Sequence, residues 1–316
     1  GGAQVPMAQA GRTAVLPAAI GAVGLGAPAA GGTFDLNQVL ETPTGLLYAL
    51  SHERGFLVSL DRGRSWIERN EGLPRRVVYP FTGQGRVRLL TSLNVDPLRE
   101  TRVAVTTAAQ LYLSEDSGLR WTEIPLGKPL RTTSYLTSVA LSPTEADTIL
   151  VGTSFNGFFE TRDRGSSWQD PSLSARFLYR GAGFYEETSG VSYHPVAPGV
   201  LFFASGFGKG LYVSSADRKS WSTLPLAPEA GQAVVQRLEL EPPAGDSTQW
   251  ELRVQTSDGP WAYGLSSLQW RRQTQRVEAE PRVADPLSDP FRRERQRAAA
   301  DKVGIYVSSW RAAGTD

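Results

Sequence analysis

Apolar residues along this chain come in short bursts that alternate with polar ones or run unbroken for a few positions, and the 3.6-residue spacing of an amphipathic helix is not found. The bursts read LLYALS at 46–51, RVAVTT at 102–107, TILVGT at 148–153, VLFFAS at 200–205 and WELRVQT at 250–256. Each is followed, after a polar gap, by a second burst: GFLVS, QLYLS, GFFET, GLYVS and PWAYG. A proline stands in the turn ahead of each first burst, at Pro43, Pro97, Pro143, Pro195 and Pro242. With one strand before each proline and another after each second burst, the pattern predicts units of four short strands.

A second marker shares this register. Directly after the second burst the chain repeats a short polar phrase ending in tryptophan: SLDRGRSW at 59–66, SEDSGLRW at 114–121 and TRDRGSSW at 161–168, then two worn copies, SSADRKSW at 214–221 and GLSSLQW at 264–270. The tryptophans Trp66, Trp121, Trp168, Trp221 and Trp270 are spaced by 55, 47, 53 and 49 residues. A period near fifty suits an array with one small sheet per repeat. A parallel β-helix would repeat at roughly half that length, and a helical solenoid would show the missing helical period.

The phrase resembles the Asp-box, or BNR repeat, of sialidases, sortilin-like proteins and other β-propellers, whose pattern is SxDxGxxW with Thr allowed first. The resemblance rests on Ser59, Asp61, Gly63 and Trp66; Ser114, Asp116, Gly118 and Trp121; Thr161, Asp163, Gly165 and Trp168; and, in the worn copies, Asp217, Trp221 and Trp270. It implies a turn between the third and fourth strands of each blade, with Asp capping, Gly at positive φ and Trp set between sheets. These residues are expected to build the fold rather than to catalyse or bind calcium. The expectation is an all-β fold, a β-propeller of about five four-stranded blades, with six or seven as the alternative.

The organisation follows. Residues 1–32 form an Ala/Gly-rich leader, 33–278 the propeller, 279–303 a charged, proline-containing linker, and 304–316 either the start of a following domain or a closing strand. The segment KVGIYVSSW from Lys302 resembles the opening strand of the TIM-barrel-like glycoside hydrolase domain of secreted bacterial proteins; its GIYVSS also fits the blade register of a sixth blade. In the leader, Arg12 precedes the small apolar run AVLPAAIGAVGLG and the stretch Ala27–Ala30, the order of an export signal, so a secreted, periplasmic or cell-surface location is expected. No run is long and apolar enough to predict a membrane span.

Composition narrows the chemistry. With 40% hydrophobic and 9% aromatic residues the 316-residue chain can bury a substantial core, and 32 Gly and 21 Pro suit many tight turns. A net charge of +1 supplies no field for nucleic acid. Cysteine is absent and His52 and His194 are the only histidines, so no thiolate or histidine metal site and no cofactor is expected. Lysine is scarce (Lys128, Lys209, Lys219, Lys302), which leaves arginine, a planar fork for carboxylates and phosphates, as the main cation.

In a propeller, the Asp-box turns and the turns after the opening strands share one face, and the other loops gather around the channel mouth, where ligands usually bind. His194, in a proline turn, falls on the first face and reads as structural. On the second face the candidates are His52, in a loop beside Glu53 and Arg54, and the inter-blade links, which carry Arg76 and Tyr79, Arg131 and Tyr135, and Tyr179, Arg180, Tyr185 and Glu186. Aromatic rings beside arginine forks suit a glycan or a protein partner; the same rings would equally plug the channel and pack between blades. The glycine run SGFGKG at 205–210 reads as a hairpin turn, since no helix follows to cradle a phosphate.

The reading is thus a non-catalytic recognition or scaffold propeller, with a hydrolase and a structural subunit of a surface assembly as alternatives. Sialidase chemistry needs three arginines, a Tyr nucleophile activated by Glu, and an Arg-Ile-Pro motif. The motif is missing, and Tyr185 with Glu186 or Glu187 are neighbours that a strand would point to opposite sides. The xyloglucan-cleaving Asp-box enzymes use two larger propellers, where this chain holds one. Oligomeric state is not legible.

Overall fold

The computed structural model describes residues 36–74, 76–77, 86–87, 90–127, 130, 134–182, 186–205, 210–273 and 282–283. Blade 1 is built from β1 (Gln38–Glu41), β2 (Leu47–Ser51), β3 (Gly55–Ser59) and β4 (Ser65–Glu68). A two-stranded hairpin, β5 (Arg76–Val77) and β6 (Arg86–Val87), precedes blade 2, which comprises β7 (Ser92–Val95), β8 (Val103–Thr106), β9 (Leu111–Ser114) and β10 (Thr122–Ile124). Blade 3 holds β11 (Leu136–Leu141), β12 (Ile149–Thr153) and β13 (Phe158–Thr161). Blade 4 holds β14 (Gly190–Tyr193), β15 (Leu201–Ser205), β16 (Gly210–Ser214) and β17 (Trp221–Thr223). Blade 5 holds β18 (Val235–Glu241), β19 (Glu251–Thr256), β20 (Gly259–Gly264) and β21 (Trp270–Arg272). Within each blade the strands meander antiparallel in sequence order.

The five-bladed, all-β architecture expected from the repeat is the one found, with two differences. Blade 3 has a single bridge, Glu160 to Gln169, in place of a fourth strand. Its outer position is followed at once by a 3-10 helix, Pro171–Ala182, where the sequence reads as a loop. The second difference is β22 (Arg282–Val283), inside the expected linker, which pairs parallel to β4 on the outer edge of blade 1. The leader 1–32 and the segment 304–316 lie outside the described residues.

Every second strand is buried on both faces, as in Leu47–Ser51, Ile149–Thr153 and Leu201–Ser205, because a blade is sandwiched between two others. The inner strands are stitched together by side chains. Thr91 donates to Leu136 O at 3.1 Å and Ser189 to Val235 O at 2.7 Å, and Thr137 donates to Thr188 O. Gln38 serves the seam between blades 1 and 2, donating to Leu93 O at 2.8 Å and accepting from its N–H at 3.0 Å. The ring closes where Gln38 Nε2 donates to Glu239 Oε1 at 3.1 Å and Arg237 Nη1 to Asn37 O at 2.9 Å. A hydroxyl just ahead of or at the start of an inner strand thus hydrogen-bonds a backbone carbonyl of the next blade.

Candidate functional site

The tryptophan phrases fold into one recurrent turn. In the first, Ser59 Oγ accepts from Gly63 N–H at 2.8 Å and donates to Asp61 Oδ1 at 2.9 Å, while Asp61 accepts from the Ser65 N–H at 2.8 Å and hydroxyl at 2.6 Å. Thr161 with Asp163 repeats the whole set, down to the Ser167 hydroxyl at 2.6 Å, and Ser114 with Asp116 repeats it without that hydroxyl, since Arg120 stands where Ser65 does. Burial would raise the Asp61 carboxyl, but the hydrogen bonds from Ser65 and Ser59 outweigh it and hold it low. Asp163 is lowered chiefly by Ser167. In the fourth copy the glycine is gone and the serine role moves by one residue: Ser215 donates to Asp217 Oδ1 at 2.6 Å.

Four indoles reach backward along the ring. Trp121 Nε1 donates to Arg69 O at 2.9 Å, Trp168 to Pro125 O at 3.0 Å, Trp221 to Ser174 Oγ at 2.8 Å and Trp270 to Pro225 O at 3.0 Å. Trp66, in β4 of blade 1, donates within its own turn, to Gly63 O at 3.1 Å.

The residue after each aspartate, which the pattern leaves free, has its own role. Arg62, Ser117, Arg164 and Arg218 all sit at left-handed φ, from 53° to 61°, a conformation that costs a non-glycine residue about 1 kcal/mol. Three of them latch onto the preceding blade. The Ser117 hydroxyl accepts from Tyr48 at 2.8 Å, Arg164 pairs with Glu115 at 2.6 Å, and Arg218 grips buried Glu160 at 2.7 and 3.1 Å. Glu160 also takes Arg162 at 3.1 Å and the Tyr193 hydroxyl at 3.2 Å. Burial would raise its carboxyl; the two arginines reverse that and hold it low, while burial beside Glu160 pushes Tyr193 well up. The same turns bond the loops after the opening strands, as Ser117 N–H to Thr101 O at 2.8 Å and Arg164 N–H to Asp147 O at 3.1 Å, so the two sets share a face. His194 belongs there: its Nδ1 accepts from Ala197 N–H at 3.0 Å, its ring stacks on Phe202, and burial lowers its pKa.

On the opposite face the structure gathers part of the expected set at blade 3. The loop of residues 154–157, between β12 and β13, is the hub. Tyr135 N–H donates to Ser154 Oγ at 2.9 Å, and Ser154 N–H donates to Tyr135 O at 2.9 Å. On the other side, Gly157 N–H donates to Glu186 O at 2.8 Å and Glu186 N–H to Phe155 O at 3.2 Å. Gly157 is required there: its φ is +72°, and a Cβ would strike Ser172 Oγ. The result is a rim where the Tyr135 ring is 60% exposed and the half-buried Glu186 carboxylate meets Arg176 Nε at 3.4 Å. Arg176 also reaches Asp170 at 3.6 Å, and Phe177 beside it is exposed. Arg176 and Phe177 belong to an arginine- and aromatic-rich link that is a 3-10 helix where the sequence reads as a loop.

Other expected members are placed elsewhere. Tyr179 is corrected from a ligand contact to a core residue: 2% exposed, it stacks on Phe203, its hydroxyl meets Thr188 at 2.8 Å, and burial raises its pKa. Its neighbour in the sequence, Arg180, falls in the same 3-10 helix, and Arg76 in β5. His52 is exposed in the β2–β3 turn of blade 1, away from the blade 3 rim. Tyr79, Arg131 and Tyr185 lie outside the described residues. Among the described residues, no helix is long and apolar enough to cross a membrane, and no group of three His, Asp or Glu side chains converges as metal ligands would.

No protein-family model matches the chain, and no curated protein sequence matches it. Solved structures do. The chain is similar to the GH74 xyloglucanase from Xanthomonas campestris, at 16% identity over 77% of this chain and 38% of that one, with a TM-score of 0.52. An ancestral GH74 enzyme is similar at 18% identity over 83% and 34%, TM-score 0.44, and a chain of a nidogen/laminin complex at 13% over 80% and 82%, TM-score 0.45. The likeness to the xyloglucanase is one of fold, and the chain spans little more than a third of that protein's length.

Proposed function

We propose that this propeller is an Asp-box recognition and scaffolding module of an exported bacterial protein, and that it holds a glycan or protein partner on the blade 3 rim. One observation carries the reading: the loop of residues 154–157 bonds exposed Tyr135 on one side and Glu186 on the other, and Glu186 pairs with exposed Arg176 from a third stretch of chain. A ring face with a charged pair next to it recognises sugar hydroxyls or polar side chains. Support for the Asp-box assignment is the turn geometry shared by Ser59, Ser114 and Thr161. Support for export and for a following glycosidase-like domain is the sequence alone, at 12–30 and 302–316.

Asp61, Asp163, Asp217 and Glu160 serve turns or a blade seam on the other face, where hydrogen bonds and arginines hold their carboxyls low. The test is an array of neutral and acidic glycans probed with the full chain, with Tyr135→Ala and with Arg176→Ala. Each substitution is expected to weaken binding by about tenfold or more, as loss of an anchoring contact does. Equal binding by all three proteins overturns the site. Cleavage of xyloglucan or a sialoside that Glu186→Gln abolishes replaces recognition by hydrolysis.

A further inference from the structure

The turns that close the opening strands share a cap. In blades 2, 3 and 4 the residue before the recurring proline folds its side chain back onto the amides two and three positions on. Asp96 Oδ1 accepts from Leu98 at 3.0 Å and Arg99 at 3.2 Å, and Ser142 Oγ from Thr144 at 3.4 Å and Glu145 at 3.1 Å. In blade 4 the acceptor is His194 Nδ1, which takes Val196 N–H at 3.3 Å and Ala197 N–H at 3.0 Å. Carboxylates and hydroxyls are the common choice for such a turn. An imidazole differs from them, because near neutral pH it exchanges its accepting lone pair for a proton.

The surroundings leave this ring free to titrate. It is half-buried and stacks on Phe202 at 5.8 Å between centroids. No charged side chain stands in the turn 195–200 or on β15, and neighbouring Tyr193 reaches the other way, to Glu160. Behind Phe202, β18 and β19 present Leu238, Leu252 and Val254, so Arg237, Glu239, Glu241, Glu251 and Arg253 alternate to their far face. The β16–β17 turn carries Asp217, Arg218 and Lys219; Ser215 holds Asp217, and Arg218 Nε donates to Gly199 O of the His194 turn at 2.8 Å while its fork grips Glu160. Burial alone shifts the His194 pKa, downward from 6.5.

We propose that His194 is a proton-operated switch: a proton taken from solvent at Nδ1 turns the acceptor into a donor, expels the Val196 and Ala197 amides and, through Gly199 O, slackens the Arg218 latch between blades 3 and 4. The fold accepts the neutral ring. The stability it contributes is therefore complete above pH 6.5 and is lost as pH falls toward the lowered folded value. That window lies above the one in which Glu160 takes up a proton, so the two effects are separable.

The test begins with the unaltered chain. Protection of the Ala197 amide against hydrogen exchange, corrected for the intrinsic rate, should fall by about threefold or more between about pH 7.5 and about pH 5.5. The Arg99 and Glu145 amides, capped by Asp96 and Ser142, should hold theirs. Over the same range the unfolding constant in urea should rise by about threefold or more. The rise should vanish in His194→Asn, whose side-chain carbonyl still caps the turn, and persist in His52→Asn. Unchanged Ala197 protection overturns the switch. Lost protection with a constant unfolding equilibrium overturns its link to Arg218, and a rise that survives in His194→Asn gives the proton to another group and overturns the proposal.

Discussion

Arg218 of blade 4 holds Glu160 of blade 3 with both terminal nitrogens, at 2.7 and 3.1 Å, across 58 residues of chain. The arginine occupies the left-handed position of a worn turn that has lost its glycine, and the glutamate is 1% exposed. Replacing Arg218 by Asn keeps a residue tolerant of left-handed φ while leaving a buried carboxylate short of its main partner. Unfolding in urea should show a loss of about 3 kcal/mol, at the low end for a broken buried pair because Arg162 and Tyr193 remain.

The same carboxylate makes stability fall in acid. Its folded pKa lies below the ordinary 4.5, so the stability it contributes is complete above that value and is lost as pH drops through the folded pKa. Glu160→Gln removes this contribution, so the difference in stability between variant and parent should shrink as the solution is acidified below about pH 4. Thermal melts across that range give the two curves, and parallel curves would contradict the assignment.

Two glycines at nearly the same φ separate backbone strain from crowding. Gly45, at +86°, has nothing within 4 Å of an added Cβ, whereas at Gly118, at +84°, the Cβ would run into the Phe56 ring. Gly45→Ala should cost about 1 kcal/mol from the left-handed backbone. Gly118→Ala adds an overlap with a packed ring and should cost about 1–3 kcal/mol more. Equilibrium denaturation of both variants reads the difference directly.

Tyr135 and Tyr179 read alike in the sequence, as aromatics of inter-blade links, yet one is 60% and the other 2% exposed. Tyr179→Ala empties a stacked position against Phe203 and should destabilise by about 3–5 kcal/mol. Tyr135→Ala should alter stability by less than about 0.5 kcal/mol. A melting experiment on the pair tells a core ring from a rim ring, and equal losses would move Tyr135 into the core.

The candidate rim was only partly legible. Tyr135 and Glu186 stand in arginine- and aromatic-rich links, and that composition is visible in the sequence. Arg176 joins them because Pro171–Ala182 coils as a 3-10 helix where blade 3 has no full fourth strand, and no local signal separates it from Arg131 or Arg180. The latches at Ser117, Arg164 and Arg218 were hidden for another reason. The repeat phrase treats the position after aspartate as free, since its side chain acts on the preceding blade rather than on its own turn. A hydroxyl at Thr91, Thr137 and Ser189, recurring just ahead of or at the start of an inner strand, is the kind of signal that a closer reading of the repeat could have found.

What the amino-acid order determined by itself is whatever acts over a few residues. Alternation sets the strands, Ser59 to Trp66 and its copies set the turns, and a period near fifty sets their number, because hydrogen bonds within a turn and the pleat of a strand need no distant partner. What only the tertiary structure decided is the meeting of residues on different blades. Examples are Glu160 with Arg218, Gln38 with Glu239, and Tyr179 in the core but Tyr135 at the rim. Those outcomes depend on which faces the closed ring presses together, and burial and ion pairing are settled by that contact rather than by neighbours in the sequence.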